Sequence, residues 1–566
     1  MAKRVRKVKR KKIKIGRIFI ALLILVGLGF GAIKVLDIAT KKIINKEYYI
    51  ASKTNKVTTY SYNDETKKMD ELDKIVRGQK ILSHDKIKTI DEINYIEVLD
   101  GDNSFYVKEE DLTTDKDKVV KENEKYVRTS VTVYKNEKDS KIASFIKKGN
   151  KLEILDYDYI DDLGLVNMYR IKNGDIEGWV YRKYLVDSEE EAQENYNENG
   201  VYDTHKDRKY SYELYGGKAS TLDYYPYERT EFENNPLLKV AKSMYLNAGT
   251  ISGIDSYIDI AKSSGVNAMV VDIKDGALAY PVEIAKEYSK TAYDTAINDF
   301  SDYQKAIKKI KDAGIYVIGR IVVFNDEHYG KDHKEDCISS TVSYRTWPSA
   351  YSRGAWEYNV ELAKATIRDM GFNEIQFDYV RFPEDAFYMS KNSNTNFRNT
   401  YDEEKAEAVQ NFLFYAADQI HKEGAYLSVD VFGECSSEYV TSYGQYWPAI
   451  SNIVDAISSM PYTDHFDRNP VRWTNPYQTV YNWAKGAAAR QTEIPTPAVA
   501  RTWITAYDTP YWNPTVVYDA SKISAQAQAL VDAGLDGGFI TWHSGSNIYK
   551  YRQIASAFSK DYKKGE

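Results

Sequence analysis

Residues 355–385 read AWEYNVELAKATIRDMG followed by FNEIQFDYVRFPED, and this stretch decides the fold. Its first part spaces apolar residues as a helix does and ends at Gly371, where glycine supplies the left-handed turn that closes a helix. Its second part is a short apolar run stopped by Pro383, which is typical of a buried strand. A helix that passes through glycine into a buried strand predicts a parallel sheet with helical crossovers.

Eight strand-then-helix units of this kind occupy residues 237–562. Eight parallel strands with helical crossovers close into a (β/α)8 TIM barrel, an α/β fold. The alternative is an open doubly wound sheet, which usually carries a glycine-rich phosphate loop after its first strand. No such loop occurs here, so the sequence favours the barrel. Other helices of the series end at Gly265, Gly314, Gly424 and Gly534.

Two segments before the barrel resemble each other. Residues 48–115 and 124–187 each begin with alternating β-branched residues and end in an aromatic–Val pair, which predicts two small all-β domains. The second ends in GWVYRKYL and resembles bacterial SH3-like domains, of which the first is a degenerate copy. That resemblance implies binding of a cell-wall peptide or glycan, although a spacer role is equally open. Residues 188–236 are predicted to be a linker.

The N-terminus is basic and then apolar. Residues 1–17 hold ten Lys or Arg and no acid, and an uncharged run, IFIALLILVGLGFGAI, follows. With its apolar flank this run reaches the roughly 17–25 residues that span a bilayer, so residues 18–38 are predicted to be a transmembrane anchor. The basic segment is expected to be cytoplasmic and the bulk of the chain extracellular. The alternative, a cleaved signal peptide, is disfavoured because Lys34 and Asp37 interrupt the cleavage region.

Charge and cysteine content exclude several classes of protein. The net charge of −6 becomes −16 without the basic first 17 residues, which argues against a nucleic-acid partner. Cys337 and Cys435 match no metal-ligand spacing, and whether they pair is left open. The chain shows no motif for a cofactor, a zinc ion or a serine nucleophile, so neither a metal nor a cofactor is expected and an esterase is disfavoured.

The chemistry of such a barrel is built at the carboxyl ends of its strands. On strand four, Gln376 and Asp378 share one face by the period of two. An Asp in an apolar strand is costly to bury unless it is paired or used. Arg381 follows three residues later, and we expect it to pair with Asp378. A purely structural bridge that ties the loop is the alternative.

Strand five repeats this pattern with Asp430 and Glu434. Because adjacent strands lie about 4.8 Å apart, Asp378 and one of these carboxylates can approach the separation that glycosidic cleavage uses, about 5–5.5 Å or about 6.5–9.5 Å. Their proximity pushes the two pKa values apart, so that one group is ionised and the other protonated. The choice between Asp430 and Glu434 stays open.

The remaining strand ends supply candidate substrate-binding residues. Asp272 and Lys274 share a face of strand two, where we expect an ion pair. Aromatic residues at the other ends can stack on the apolar faces of sugars. The further candidates on strands three, six, seven and eight are Arg320, Tyr462, His465, Trp503 and Trp542.

The segments VNAMVVDIKDGALAYPV, GRIVVFND, FNEIQFDYVRFPED, LSVDVFG and DAISSMPYTDHF resemble the bacterial putative glycoside hydrolase domain family, distant relatives of the α-amylase-like barrels. The resemblance covers residues 237–560 and implies a barrel glycosidase. It also implies that Asp378 is the nucleophile and that the acid/base lies on strand five, at Asp430 or Glu434. The chain departs from the family pattern in YTDH on strand six and TWHSGSN on strand eight.

The sequence therefore predicts a membrane-anchored extracellular glycosidase that cleaves a cell-envelope polysaccharide or exopolysaccharide with two carboxylates. In this hypothesis Arg381 orients Asp378 and keeps it ionised. The alternative is a non-catalytic glycan-binding or cell-wall-organising protein, whose barrel is a receptor. The sugar, the linkage, the stereochemical outcome and the oligomeric state are left open.

Overall fold

The computed structural model describes residues 46–52, 56–100, 103–119, 123–160, 165–210, 215–343 and 345–565. The chain divides into two compact units, Met1–Val119 and Val120–Glu566. The first is a small antiparallel β domain. The second combines another antiparallel sheet with the parallel barrel.

The first unit is one seven-stranded antiparallel sheet in the order β3-β2-β6-β5-β4-β1-β7. Its core is formed by one set of alternating apolar side chains, as a half-buried sheet requires. Among them are Ile50, Ile96, Val98 and Val107, all almost fully buried. The strands are β1 (Lys46–Ile50), β2 (Lys56–Asn63), β3 (Lys68–Val76), β4 (Lys80–Ile90), β5 (Ile93–Asp100), β6 (Asn103–Lys108) and β7 (Leu112–Thr113).

The second sheet repeats that strand order, β10-β9-β13-β12-β11-β8-β14. The shared order agrees with the resemblance between the two segments in the sequence, while no comparison with known proteins identifies either sheet as SH3-like. The strands are β8 (Glu124–Val127), β9 (Val131–Tyr134), β10 (Ile142–Ile146), β11 (Lys151–Tyr157), β12 (Met168–Asn173), β13 (Ile176–Tyr181) and β14 (Leu185–Val186).

The predicted linker packs against the barrel. Leu222 and Tyr224 are buried in a cluster with Tyr446 and Ala449, which belong to the barrel. Arg229 donates hydrogen bonds to the carbonyl oxygens of Ser451 and Val454 at 2.8 and 2.6 Å. The aromatic side chains of this segment thus bury apolar surface on the barrel. Its helices are Glu189–Gln193 and Val201–His205.

Nine parallel strands then form a nearly closed barrel in the ring order β22-β21-β20-β19-β18-β16-β15-β24-β23. The predicted seventh strand is split into β22 and β23, which are separated only by Arg501. The parallel barrel of the prediction is thus confirmed, with one strand interrupted. The strands are β15 (Ala241–Leu246), β16 (Ala268–Asp275), β18 (Tyr316–Val322), β19 (Glu374–Asp378), β20 (Tyr426–Phe432), β21 (Ala456–Met460), β22 (Val499–Ala500), β23 (Thr502–Thr505) and β24 (Gly538–Trp542), with β17 (Ala277–Leu278) antiparallel to β16.

Helices surround the barrel. The helix Arg353–Met370 begins at Ser352, whose side chain accepts a hydrogen bond from the Ala355 N–H, and ends at Gly371, where φ is +68°. It leads into β19, as the sequence predicted. The helices are Ile254–Ser264, Ala285–Tyr288, Lys290–Asp294, Phe300–Asp312, Glu327–Asp332, Arg353–Met370, Ala386–Ser390, Lys405–Lys422, Trp447–Ser451, Val471–Thr474, Pro476–Gln491, Ala520–Ala533 and Ile548–Phe558.

The predicted single-pass membrane topology is contradicted. No helix in the part of the chain that the structure describes is both long and apolar enough to cross a bilayer. Its longest helices, Arg353–Met370 and Lys405–Lys422, have 18 residues each and carry several charged side chains, whereas a span needs about 20 mainly apolar residues. Residues 1–17 and 18–38, on which the prediction was based, lie outside the described residues. The anchored, extracellular location is withdrawn.

Candidate active site

Asp378 is the last residue of β19 and lies at the carboxyl end of the barrel. β19 pairs with β18 and β20, and every residue of the strand is buried. Asp378 lines a cavity of about 790 Å³ that opens at this end. It is only 4% exposed, and one of its carboxylate oxygens, Oδ1, accepts a hydrogen bond from the N–H of Tyr379 at 2.6 Å. The acid is therefore held rigidly and faces the cavity.

Arg320 on β18 is the partner of Asp378. Its Nη2 and Nε donate to Asp378 Oδ2 at 2.6 and 3.2 Å, and its Nη1 donates to Asp272 at 2.8 Å and to Asp275 at 3.1 Å. Burial alone would lower the pKa of Arg320, but these three carboxylates outweigh it and raise that pKa well above its usual value. One guanidinium thus neutralises several acids, and the site keeps an excess of negative charge.

The predicted pairing of Arg381 with Asp378 is wrong. Arg381 donates to Glu384 Oε1 at 2.9 Å and to the carbonyl oxygen of Phe382 at 3.0 Å. The reason is local: Tyr379 adopts a φ of +55°, so the chain leaves the strand geometry directly after Asp378. Arg381 still lines the cavity, where its guanidinium lies 4.1 Å from the ring centroid of Phe432.

Asp430 lies deeper than Asp378 and is 1% exposed. Its Oδ1 accepts a hydrogen bond from Trp503 Nε1 at 2.6 Å, whereas its Oδ2 is buried and has no hydrogen-bond partner among the described residues. Asp430 Oδ2 is 3.8 Å and Asp378 Oδ2 is 3.2 Å from the same Arg320 Nε, so these two oxygens are separated by no more than the sum of those distances, about 7 Å. Burial, and then the charge of Asp378, raise the pKa of Asp430 well above its usual value.

Glu434 is the carboxylate of strand five that reaches the cavity. It lies just beyond β20, is exposed and lines the same cavity as Asp378. Tyr439 Oη donates to its Oε1 at 2.7 Å, and Tyr443 Oη donates to its Oε2 at 2.9 Å. Two hydroxyl groups thus fix the orientation of a carboxylate that is open to a ligand.

The predicted Asp272–Lys274 ion pair is not formed. Asp272 pairs with Arg320, and Lys274 Nζ donates to Asp326 at 2.5 Å and to Asn359 at 2.8 Å. The pairing register between β16 and β18 shifts between Asp272 and Lys274, so the period of two does not keep the two side chains together. Lys274 is buried and is not among the residues that line the cavity. Burial raises the pKa of Asp272. The positive charge of Arg320 opposes this effect and the negative charge of Asp275 adds to it, so the pKa is raised to about 6.

Aromatic side chains form much of the cavity wall. The ring centroids of Tyr462 and Trp542 are 6.3 Å apart in a stacked arrangement, and Trp503 meets Trp542 edge to face at 5.5 Å. These predicted residues line the cavity together with the exposed His465. The sequence reasoning missed further lining residues, namely Tyr379, Glu384 and Phe466 in loops, Phe432 at the end of β20 and Trp483 on the helix Pro476–Gln491. The three loop residues show no periodicity that would have marked them, and the apolar Phe432 and Trp483 fit the packing pattern of their strand and helix.

Cys337 and Cys435 are both buried and unpaired. Within the described residues, no three His, Cys, Asp or Glu side chains are grouped so that they could hold a metal ion.

A cavity at the carboxyl ends of the strands, walled by aromatic rings and carboxylates, lies where parallel-barrel enzymes have their active sites. Residues 243–549, more than half of the chain, match the family model described as "Putative glycosyl hydrolase domain". The chain belongs to this family, and the predicted glycosidase class is thereby confirmed.

Solved structures that are similar to the chain include glycosidases. A hypothetical protein from Ruminiclostridium thermocellum ATCC 27405 shares 32% identity over 33% of this chain and 97% of its own, with a TM-score of 0.28. The PgaB (BpsB) glycoside hydrolase domain from Bordetella bronchiseptica shares 12% identity over 57% of this chain and 99% of its own (TM-score 0.43). Alpha-L-fucosidase isoenzyme 2 from Paenibacillus thiaminolyticus shares 12% identity over 56% and 49% (TM-score 0.38). These TM-scores are low, so the family match carries the assignment. No curated protein matches the chain.

Proposed function

We propose that the chain hydrolyses a glycosidic bond of a polysaccharide by a two-carboxylate mechanism in the cavity at the carboxyl end of the barrel. The observation that carries this proposal is the position of Asp378, which faces that cavity with further carboxylates close by. Asp430 approaches Asp378 within about 7 Å, and Glu434 lines the same cavity. Glycosidic cleavage needs two carboxylates across the scissile bond.

Asp378 acts on the anomeric carbon. Asp378 accepts two hydrogen bonds from Arg320 and one from the Tyr379 N–H, and a carboxylate accepts such hydrogen bonds more strongly than a carboxylic acid does. In a retaining mechanism a carboxylate oxygen bonds to the anomeric carbon as the glycosidic C–O bond breaks. Otherwise the ionised acid stabilises the positive charge that develops on the sugar ring.

Glu434 is the better candidate for the acid/base. A general acid must touch the glycosidic oxygen, and the buried Oδ2 of Asp430 is inaccessible in this arrangement, whereas Glu434 is exposed to the cavity. Glu434 gives its proton to the departing oxygen and then takes one from the water that attacks the anomeric carbon. The pKa of Asp430 is raised by its burial and then by the charge of Asp378, which favours the protonated form of this acid.

A test of this division of roles compares Glu434→Gln with Asp430→Asn on a panel of dinitrophenyl glycosides and on the matching oligosaccharides. Dinitrophenolate leaves without protonation, so loss of the general acid slows oligosaccharide cleavage at least about 100-fold and spares bond cleavage in the aryl glycoside. We expect this pattern for Glu434→Gln. The same pattern in Asp430→Asn, with an unaffected Glu434→Gln, would reverse the assignment.

The substrate search uses the purified chain and polysaccharide fractions, with the release of reducing ends as readout. A non-catalytic glycan receptor would instead show saturable binding without any product, and would keep that binding in Asp378→Asn. That outcome would refute hydrolysis.

A further inference from the structure

A second cleft, of about 640 Å³, lies beside the loop that follows β19. We call it the lysine cleft. No Asp or Glu is among the described residues that line it, and it contains two lysines. The lining residues are Lys209, Tyr215, Met389, Ser390, Asn392, Thr395, Phe397 and Lys405.

Lys405 is a buried cation for which the described part of the chain offers no counter-charge. It is 7% exposed, and its ammonium donates to the carbonyl oxygen of Tyr215 and to Ser390 Oγ, the latter at 2.8 Å. An ammonium has three N–H donors, so one is left over. No carboxylate of the described chain lies within salt-bridge distance of Lys405, and its burial alone lowers its pKa to about 8. A buried charge normally has a partner, and none of the described acids supplies one for Lys405.

The surroundings add positive charge and flat apolar rings. Lys209 is exposed on the lining, and the nearby Lys391 lies 4.0 Å from the ring centroid of Phe387. Neither lysine forms an ion pair with a described acid. The ring centroid of Phe397 lies 4.7 Å from Lys405 Nζ. Cations with interleaved aromatic rings suit a sugar chain that carries oxyanions.

Ring contacts connect the lysine cleft with the catalytic cavity. Phe387 meets Tyr210 with centroids 5.7 Å apart, and Tyr210 meets Tyr439 at 5.4 Å. Tyr439 in turn donates the hydrogen bond that holds Glu434. The two sites are therefore neighbours on the same end of the barrel.

We propose that the lysine cleft binds an oxyanion, phosphate or carboxylate, on the glycan whose backbone enters the catalytic cavity. The substrate would then be an acidic polysaccharide. This statement about the substrate rests on the proposed glycosidase function, whereas binding in the lysine cleft does not require catalysis.

The test measures binding by titration calorimetry in the full chain carrying Asp378→Asn, so that no probe is consumed. The probes are a poly(glycerol phosphate) oligomer, an oligogalacturonate and neutral dextran. We expect at least one anionic probe to bind, with an affinity that falls as salt rises, and dextran to bind at least about tenfold more weakly. The phosphate and carboxylate probes distinguish the two sources of the oxyanion.

Lys405→Met should lower the affinity for the anionic probe at least about tenfold, and the exposed Lys209→Ala about threefold. Lys209→Ala keeps the test decisive if Lys405→Met does not fold. Lys485→Ala, which replaces an exposed lysine on the helix Pro476–Gln491, is the matched control and should bind as the parent does.

Equal binding of dextran, absence of binding to both anionic probes, or unchanged affinity in Lys209→Ala and Lys405→Met would overturn the proposal. Failure of the glycosidase function would appear separately, as absence of hydrolysis by the unsubstituted chain.

Discussion

Each end of β19 carries a carboxylate that pairs with an arginine, but the two pairs have different surroundings. At the amino end, Glu374 is fully buried and accepts two hydrogen bonds from Arg501 Nη1, at 2.7 and 2.8 Å. At the carboxyl end, Asp378 pairs with Arg320 and faces a cavity. The first is a closed pair of one acid and one base. The second divides one arginine among several acids.

The two arginines differ in the number of carboxylates around them, and we expect the first pair to serve stability and the second group to serve function. Arg501 has Glu374 as its one carboxylate partner among the described residues, so the pair is neutral and shut off from solvent. Arg320 contacts Asp272, Asp275 and Asp378 and lies near Asp430, so the acids outnumber it. Burial and the neighbouring negative charge raise the pKa of Asp430, and acid–base chemistry uses groups whose pKa is shifted in this way.

The largest effect is expected at the carboxyl end. Asp378→Asn should lower kcat/KM at least about 1,000-fold, because the amide can neither attack nor stabilise the anomeric carbon. Arg320 would keep Asp272 and Asp275, so the free energy of unfolding should change by less than about 2 kcal/mol. Activity assays and denaturant unfolding measure the two quantities. Activity within tenfold of the parent would remove Asp378 from the mechanism.

The opposite result is expected at the amino end. Glu374→Gln leaves the buried Arg501 without a carboxylate, and it should lower the free energy of unfolding by about 3–5 kcal/mol. The kcat/KM of the folded fraction should stay within a few-fold of the parent value, because the pair lies at the far end of the strand from the cavity. A stable but inactive Glu374→Gln protein would contradict the comparison.

A double variant sharpens this result. Glu374→Leu with Arg501→Met replaces both charges by apolar groups of similar size, and it should recover most of the lost stability. Replacing Asp378 and Arg320 by apolar groups in the same way should not restore activity, because the proposed reaction uses the carboxylate of Asp378 itself.

The smallest effect is in the pH dependence. The pKa of Asp272 is raised to about 6, so between about pH 4 and 6 the folded chain holds a proton that the unfolded chain has lost. Stability from this group is present at low pH and is lost as the pH rises through that window, by about 1.4 kcal/mol per pH unit. Asp272→Asn should remove this slope. Parallel stability curves for the two proteins, measured by urea unfolding, would show that Asp272 does not titrate there.

Local patterns in the sequence were sufficient to predict where Asp378 and Asp430 lie in the barrel. The period of two along β19 placed Asp378 on an inward face, and the barrel then placed it at the carboxyl end. Asp430 follows from the same rule on the neighbouring strand. These inferences hold because pleating and parallel alignment act on every residue of a regular strand.

The rule failed where regular structure ends. Beyond Asp378 the positive φ of Tyr379 redirects Arg381, and the register shift in β16 separates Lys274 from Asp272. The partner of Asp378 is a side chain 58 residues earlier in the chain, Arg320, which the sequence marked only as a substrate contact. Likewise, the predicted linker packs on the barrel because its aromatic side chains find apolar surface there.

The sequence by itself determined the parallel barrel and the strand ends that carry its acids, because periodicity and helix-ending glycines are local properties. Only the tertiary structure decided which charges meet, since that depends on distances across the barrel and on departures from regular backbone. It thereby distinguished a buried acid, Asp430, from one open to the cavity, Glu434, although the two are only four positions apart in the chain.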